Sequence, residues 1–448
     1  SVVKNPIDNI VHEKLIVNDT INKIAFAEKI KGKNKITICV KHFERNNHYA
    51  SVITNKLLSK IVFDSLDNNK LSVMSIFNNY SGVLKNQLQA RNKLLNAPKS
   101  IDHSDKKSNW QNGLRWQMLM TVNSFLSNNY TYDTLIKRYE SKRRMFYTKQ
   151  IDSINQKRGL IKNQNVINTI SELAKNNQII ILNEDHYYPK HRLFAMQLLN
   201  ILKQNGYEYL SAEAFSLSEK SKLVPNYDNG HYIGEPYFAH FLRRAKELNF
   251  KIVGHENEDE NVDREIGQAN QIMKVLKSNP DAKIFIYVGH SHLEKESKKR
   301  WMASYLKEYS KINPITINQV KIISNTVEDL IMIPREFLDN KIKSSSSADY
   351  FIVNNIKTDL KAIYKDKEFK DIVLKSKFLK KFKDDELQLE IFDKEEYNQL
   401  KSLAIPIINL IVKAKNKQIK LNLPIGSYYI IVKSADNEIF RFDQIEVK

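Results

Sequence analysis

The stretch Gln178-Ile179-Ile180-Ile181-Leu182-Asn183-Glu184-Asp185-His186 is an apolar run that stops abruptly on acid and histidine. A run this short and this rich in β-branched residues reads as a buried strand rather than a helix. The residues after it fit a crossover helix. Pro189 stands where a helix can begin, and Leu193, Phe194, Met196, Leu198, Leu199, Ile201 and Leu202 supply an apolar face. Asn205-Gly206 ends it, because glycine takes the left-handed cap at little cost. The unit then repeats. Strands are expected over 178–182, 207–212, 250–254, 283–289 and 315–320. Helices are expected from Pro236 to about Asn249, from a cap at Asp263 to about Lys277, and over 300–309. Strand alternating with helix implies parallel pairing with right-handed crossovers. The expected fold is therefore α/β, a central and mainly parallel sheet with helices on both faces.

Outward from this core the pattern changes. Residues 1–155 read as a mostly helical N-terminal region. Leu57, Leu58, Ile61 and Val62 fit one apolar helical face, and Leu114, Trp116, Met118, Leu119, Val122 and Phe125 fit another. Residues 130–145 form a further candidate helix, and 36–40 a candidate strand. The α/β domain is expected over 156–343, closed by Ser344-Ser345-Ser346-Ser347, which reads as a flexible polar spacer. Residues 348–448 read as a small β-rich, sandwich-like accessory domain ending in a hairpin over 423–447.

Length and composition bound the rest. A chain of 448 residues, 42% hydrophobic and 27% charged, is long for one core and ordinary for a globular protein. No apolar run is long enough to cross a bilayer. The formal charge of +20 favours anionic partners, and association with a membrane surface is among them. The charge is scattered rather than gathered into a stripe, so no specific nucleic-acid binding is expected. The single cysteine, Cys39, lies in an apolar run and reads as a buried hydrophobe. The chain opens on Ser1, which fits a processed protein, and the expected location is exported: periplasmic, outer-membrane-associated or secreted.

The chemistry lies where the strands end. In parallel α/β sheets, ligands bind outside the carboxyl ends of the strands. Here the first strand delivers Glu184 and His186, the second Glu213, the third His255 and Glu256, and the fourth His290 and His292. One strand-end glutamate is ordinarily solvated, and one histidine is ordinarily structural. Four consecutive strands ending this way make a shared crevice in which carboxylates raise one another's pKa and a histidine serves as base, orienter or metal ligand.

Asn183-Glu184-Asp185-His186 resembles the first-strand GExH motif of the erythromycin-esterase/ChaN/TIKI-like superfamily. Ala212-Glu213-Ala214 resembles its second-strand glutamate, and Gly254-His255-Glu256 its third-strand acid. Arg264-Glu265-Ile266-Gly267-Gln268-Ala269-Asn270 resembles its helix motif, and Val288-Gly289-His290-Ser291-His292-Leu293 its last strand. His191-Arg192, Glu235-Pro236 and 314–319 extend the resemblance to a group of exported bacterial proteins. Asn183 stands where the superfamily carries glycine, and His290 is additional.

The resemblance implies hydrolysis of an ester or amide in a small-molecule or peptide substrate. In a metal-free version His186 activates water, Glu213 or Glu184 orients it, and His292 and Arg264 stabilise the oxyanion. In a metal version Glu184, His186 and His292 hold a divalent ion such as Zn, Mn, Co or Fe, and Arg264 contacts a substrate carboxylate or orders a glutamate. His191, Arg192, His231, Tyr232, Glu256 and His290 are expected to bind substrate. The loop over 216–234 is expected to fold across the crevice as a lid. The alternative is a haem- or iron-binding protein without catalysis, with Tyr187, Tyr188, His191, Tyr232, Tyr237 and His240 stacking on a flat ligand.

Overall fold

Four strands open the chain: β1 (Val2–Lys4), β2 (Ile10–Ile16), β3 (Ile24–Ile30) and β4 (Ile36–Val40), antiparallel in the order β1-β2-β3-β4. Helix α1 (Gln87–Asn96) comes next, with Leu88 and Leu94 buried. The computed structural model describes residues 2–4, 10–16, 24–30, 36–40, 86–96, 116–127, 130–158, 160–213, 215, 225–257, 259, 261–375, 382, 386–415, 418–436 and 439–448. Of the sequence expectations, the strand at 36–40 is present. The helix drawn through Leu57–Val62 lies outside the described residues. The described residues up to 40 differ from a mostly helical region: Ile10–Ile16 and Ile24–Ile30 are strands that pair with each other.

The chain divides into two units, Ser1–Leu119 and Met120–Lys448. The second begins well before residue 156. Its long helix α2 (Tyr130–Arg158) belongs with the α/β domain: Tyr147 and Ile151 enter that domain's core, and Arg143 donates to the carbonyls of Val320 and Lys321.

The central sheet has eight strands: β5 (Ile161–Lys162), β6 (Ile179–Glu184), β7 (Tyr207–Ala212), β8 (Lys251–Gly254), β9 (Lys283–Gly289), β10 (Ile315–Asn318), β11 (Leu330–Pro334) and β12 (Tyr350–Asn354). Their order is β5-β11-β12-β10-β6-β9-β7-β8. Pairing is parallel from β12 to β8, and β11 runs antiparallel to both its neighbours. All five expected strands are present, and β5, β11 and β12 are added to them.

Successive side chains on a strand point to opposite faces, and both faces here are covered. Ile180, Leu182, Phe285 and Ile352 enter one core with α3 (Gln164–Asn176), α4 (Pro189–Gln204) and α5 (Pro236–Glu247). Ile179, Ile181, Ile284, Ile286 and Phe351 enter the other with α6 (Arg264–Ser278) and α7 (Met302–Ser310). Continuous burial explains why the strands read as unbroken apolar runs. Helix α4 starts on Pro189 and ends before Gly206, whose φ of 84° is one that glycine adopts without strain. Asp263 caps α6 through Glu265 N–H, as expected.

The tetraserine is not a loose spacer. Ser346 Oγ and Ser347 Oγ donate to the buried Glu294 carboxylate, and the chain continues through the short helix α8 (Asn340–Lys343) and this turn directly into β12 of the main sheet. The accessory domain therefore starts later than 348. Helix α9 (Leu360–Ile363) precedes β13 (Phe369–Lys375), which pairs with β16 (Gln418–Pro424). The sheet β15-β14-β17-β18 is built from β14 (Glu386–Asp393), β15 (Ile408–Lys413), β17 (Gly426–Lys433) and β18 (Ile439–Val447). Leu387, Leu389, Ile391, Leu421, Ile430 and Val432 form the core between the two sheets. The closing hairpin is β17–β18. Helix α10 (Lys394–Leu400) brings Glu396 to Arg243 of α5. No helix of the described residues is long and apolar enough to cross a membrane.

Candidate functional site

Strand β6 ends on Glu184, which is only 2% exposed. A bare carboxylate at that depth is costly unless paired. Glu184 Oε2 accepts from Arg192 Nε at 2.8 Å and from Tyr287 Oη at 2.9 Å, and Oε1 lies 2.8 Å from His186 Nδ1. Burial pushes this carboxyl up, but Arg192 and His186 outweigh it and hold it well below the usual carboxylate range. Arg192 continues the chain of contacts. Its Nη1 donates to Glu235 at 2.8 Å and its Nη2 to the His186 carbonyl at 2.8 Å. Glu235 in turn caps α5 through the N–H groups of Tyr237 and Phe238.

The result is an oriented imidazole. An ionised carboxylate only accepts, so His186 carries its proton on Nδ1 and keeps a free lone pair on Nε2. The ring is stacked on Tyr232, with centroids 4.1 Å apart and planes 13° from parallel. A Cβ on Gly289 would lie 2.9 Å from His186 Nε2 and 3.2 Å from Glu213 Oε2. The base and the second carboxylate therefore border one small volume, which stays open because residue 289 is glycine.

Glu213, at the end of β7, closes the far side. Its Oε2 accepts from Gly289 N–H at 2.6 Å and its Oε1 from Arg264 Nη2 at 2.6 Å. Burial raises this carboxyl, and His292, Arg264 and His186 bring it down to about 2. Arg264 is 46% exposed and also forks onto Glu256 through Nε and Nη2. His292 Nδ1 lies 2.7 Å from Glu265, whose Oε2 also accepts from Met302 N–H. His292 Nε2 lies 3.3 Å from both Arg264 Nη1 and Glu213 Oε1. Trp301 meets the His292 ring edge-on, with centroids 5.5 Å apart.

The five residues expected to carry chemistry, Glu184, His186, Glu213, Arg264 and His292, thus come together. The six expected to bind substrate divide. Arg192 is fully buried and holds Glu184, so it positions and does not touch substrate. His191 is also buried; its Nδ1 accepts from Asp185 N–H at 3.0 Å, and burial lowers it to about 3. His231 packs against the rings of Tyr232 and Phe125. Tyr232 covers His186, Glu256 is held by Arg264, and His290 is partly exposed beside Asp185 Oδ1 at 3.1 Å. Of the expected lid, 216–224 lie outside the described residues, while 225–234 bring Tyr232 onto the site.

Three contributors have no role assigned by the sequence alone, although Glu235 and Glu265 lie within the quoted motifs. Tyr287 is hidden in an apolar strand, Glu235 sits before a proline like any helix cap, and Glu265 is one residue from the more conspicuous Arg264. Only the period-two alternation of β9, which puts Tyr287 on the same face as Phe285, offers a signal for the first.

The metal set does not fit. Among the described residues no group of three or more His, Cys, Asp or Glu side chains is arranged to hold an ion. The reason lies in the donors: both oxygens of Glu184 are taken by Arg192, Tyr287 and His186, and His292 is engaged at both nitrogens. The flat-ligand set does not line an open crevice either. Tyr237 and His240 are buried in the face of α5, and His240 Nε2 donates to the Ile407 carbonyl at 2.7 Å.

No protein-family model and no curated protein matches the chain. Among solved structures it is similar to one titled "Bacterial protein toxins", at 14% identity over 61% of this chain and 64% of that one, with a TM-score of 0.26. A second, "Crystal structure of bacterial protein toxins", gives 12% over 55% and 65%, with a TM-score of 0.26. RRSP, a MARTX toxin effector domain from Vibrio vulnificus CMCP6, gives 13% over 57% and 61%, with a TM-score of 0.24. The chain spans less than two thirds of each of these, and a likeness of this order carries no argument about chemistry.

Proposed function

We propose that the chain hydrolyses an ester or amide bond without a metal, with His186 as the general base, and that it belongs with the erythromycin-esterase/ChaN/TIKI-like superfamily its motifs resemble. The observation that carries the proposal is the Glu184–His186 pair, in which a carboxylate locked by Arg192 and Tyr287 fixes the imidazole with Nε2 bordering the space over Gly289. A water there gives its proton to Nε2 and attacks the carbonyl carbon. Arg264, the exposed cation of the site, neutralises charge developing on the carbonyl oxygen. Glu213 holds Arg264 and fixes the Gly289 N–H. His186 then returns the proton to the leaving group.

The test is a screen of aryl esters and peptide amides with the full chain and its His186→Asn variant. Removing a general base lowers turnover by about 100- to 10,000-fold, with circular dichroism unchanged. No turnover of any ester or amide by the parent chain, or equal turnover by His186→Asn, would overturn the reading.

A further inference from the structure

Beside the His186 site, at the carboxyl ends of β6, β9 and β10, lies a cavity of about 100 Å³ bordered by Asn183, His290, Ser291, Asn318, Lys321 and Ser345, with Glu294 and Ser346 also in its wall. Apart from Val320 its wall is made of polar residues. Such a volume holds several waters or one group the size of a carboxylate or phosphate.

Its wall holds two side chains that can carry positive charge, Lys321 and His290, and one carboxylate, Glu294. The Glu294 carboxylate is already satisfied by Ser346 Oγ, Ser347 Oγ and Ser347 N–H. Lys321 is half-buried and, among the described residues, its ammonium makes no hydrogen bond or ion pair. Burial and the nearby Arg143 lower its pKa and Glu294 raises it, so the Lys321 ammonium stands between a cation and a carboxylate. His290 also lines the cavity. Its ring is 5.7 Å from that of His186, and its Nε2 stands at ion-pair distance from Asp185.

The backbone is shaped for this. His290 has a φ of 33°, a left-handed value that a side chain adopts only under strain, and such strain gathers at functional sites. Asn183 Nδ2 secures the His290 carbonyl at 2.7 Å, and Asn183 Oδ1 accepts from Gln319 N–H. One asparagine thereby ties the cavity wall to the strand that delivers Glu184.

We infer that this cavity receives an anionic group, carboxylate or phosphate, on the substrate whose scissile bond lies against His186. The inference rests on the hydrolase reading and narrows its substrate class to anionic esters or amides. Lys321 and His290 contact the anion, and the neighbouring imidazole presents the base a few ångströms away.

Two measurements on the full chain test it. The first is titration with inorganic phosphate and, separately, succinate, followed by calorimetry for the parent chain, Lys321→Gln and Lys321→Arg. At least one anion should bind, Lys321→Gln should weaken it about tenfold, as loss of one charged hydrogen bond gives, and Lys321→Arg should restore it. Binding of phosphate alone identifies a phosphate-bearing substrate, and binding of succinate alone a carboxylate-bearing one. Absence of binding by either anion, or equal affinity in Lys321→Gln, overturns the inference. The second measurement compares 4-nitrophenyl acetate with mono-4-nitrophenyl succinate. The parent chain should prefer the charged ester in kcat/KM, and the preference should fall about tenfold in Lys321→Gln. Where succinate binds, equal rates for both esters also overturn it. Anion binding with neither ester turned over leaves the cavity assignment standing, and the hydrolase reading then falls if the wider screen of esters and amides is also empty.

Discussion

At Glu213 burial raises the carboxyl, while His292, Arg264 and His186 bring it down to about 2. A group whose folded pKa is depressed contributes stability above its unfolded value and loses it as pH falls through the folded one. Glu213 therefore loses its contribution as pH falls from its ordinary 4.5 to about 2, and Glu184, depressed further, loses its own from 4.5 down to a still lower pH. The buried histidines act in the same direction. His191 and His240 are lowered by burial from 6.5 to about 3, and His255 to about 4, so the unfolded chain takes up protons before the folded one does. Urea midpoints measured across pH should fall steadily from 6.5 toward 3, and His240→Gln should remove part of that slope. Gly289 gives a second expectation. In Gly289→Ala the methyl meets His186 Cε1 at 2.8 Å. The imidazole must move, and turnover should drop about 100-fold, as for a small misplacement of a catalytic group, while the melting temperature changes little.

These residues are legible in the sequence to different degrees. Glu184, His186, Glu213 and His292 are visible because each ends an apolar strand or its adjoining turn, where acid and imidazole stand out. Arg192 reads as a substrate contact because an arginine early in a helix ordinarily faces solvent. Its complete burial comes from two glutamates far apart in sequence, Glu184 and Glu235, and no local pattern announces such a pair.

Among the elements, helix α2 is clamped to the turn that carries His186: Tyr132 Oη donates to the Tyr187 carbonyl at 2.6 Å, and the buried Glu140 takes Tyr188 Oη and Arg144. Arg144 also reaches the Ser324 carbonyl beyond β10. Glu140→Ala would leave two buried donors without their acceptor, a loss of about 1–3 kcal/mol to be read from urea unfolding. If the unfolding free energy were unchanged, the clamp would be incidental. A charged helix of ordinary composition gives no hint of this docking, since several of its partners are backbone carbonyls. Strands β6 to β10 are readable because a doubly covered sheet makes each strand largely apolar. Strand β12 reads as part of the accessory domain because four serines before it mimic a linker, when in fact two of them satisfy Glu294. The antiparallel strands β1–β3 are hard to read because only β4 is a compact apolar run.

On the scale of the molecule, the sandwich is joined to the α/β domain through α5. Arg243 forks onto Glu396 with Nε and Nη2, its Nη2 also reaches the Ile405 carbonyl, and His240 reaches that of Ile407. Each domain has a separate core. Cooperative unfolding of the two therefore depends in part on this guanidinium, beside Ile405 packed in the α/β core and the Ser127 N–H bond to the Asn409 carbonyl. Arg243→Met should leave Glu396 unpaired and split a single calorimetric transition into two. One unchanged transition would show that the apolar contacts around Ala404 and Ile405 suffice. The accessory character of this domain is readable from its short strands and closing turn; its attachment is not, because Arg243 and Glu396 are 153 residues apart.

Trp301 stands edge-on to His292, and Lys299 lies over the indole at 3.9 Å from the ring centroid. An indole next to an imidazole loses emission when that imidazole becomes a cation and accepts an electron from the excited ring. The chain has two further tryptophans, at positions 110 and 116. With both replaced by phenylalanine, Trp301 becomes an optical gauge of charge at His292, reporting ligand entry in real time before any substrate is known.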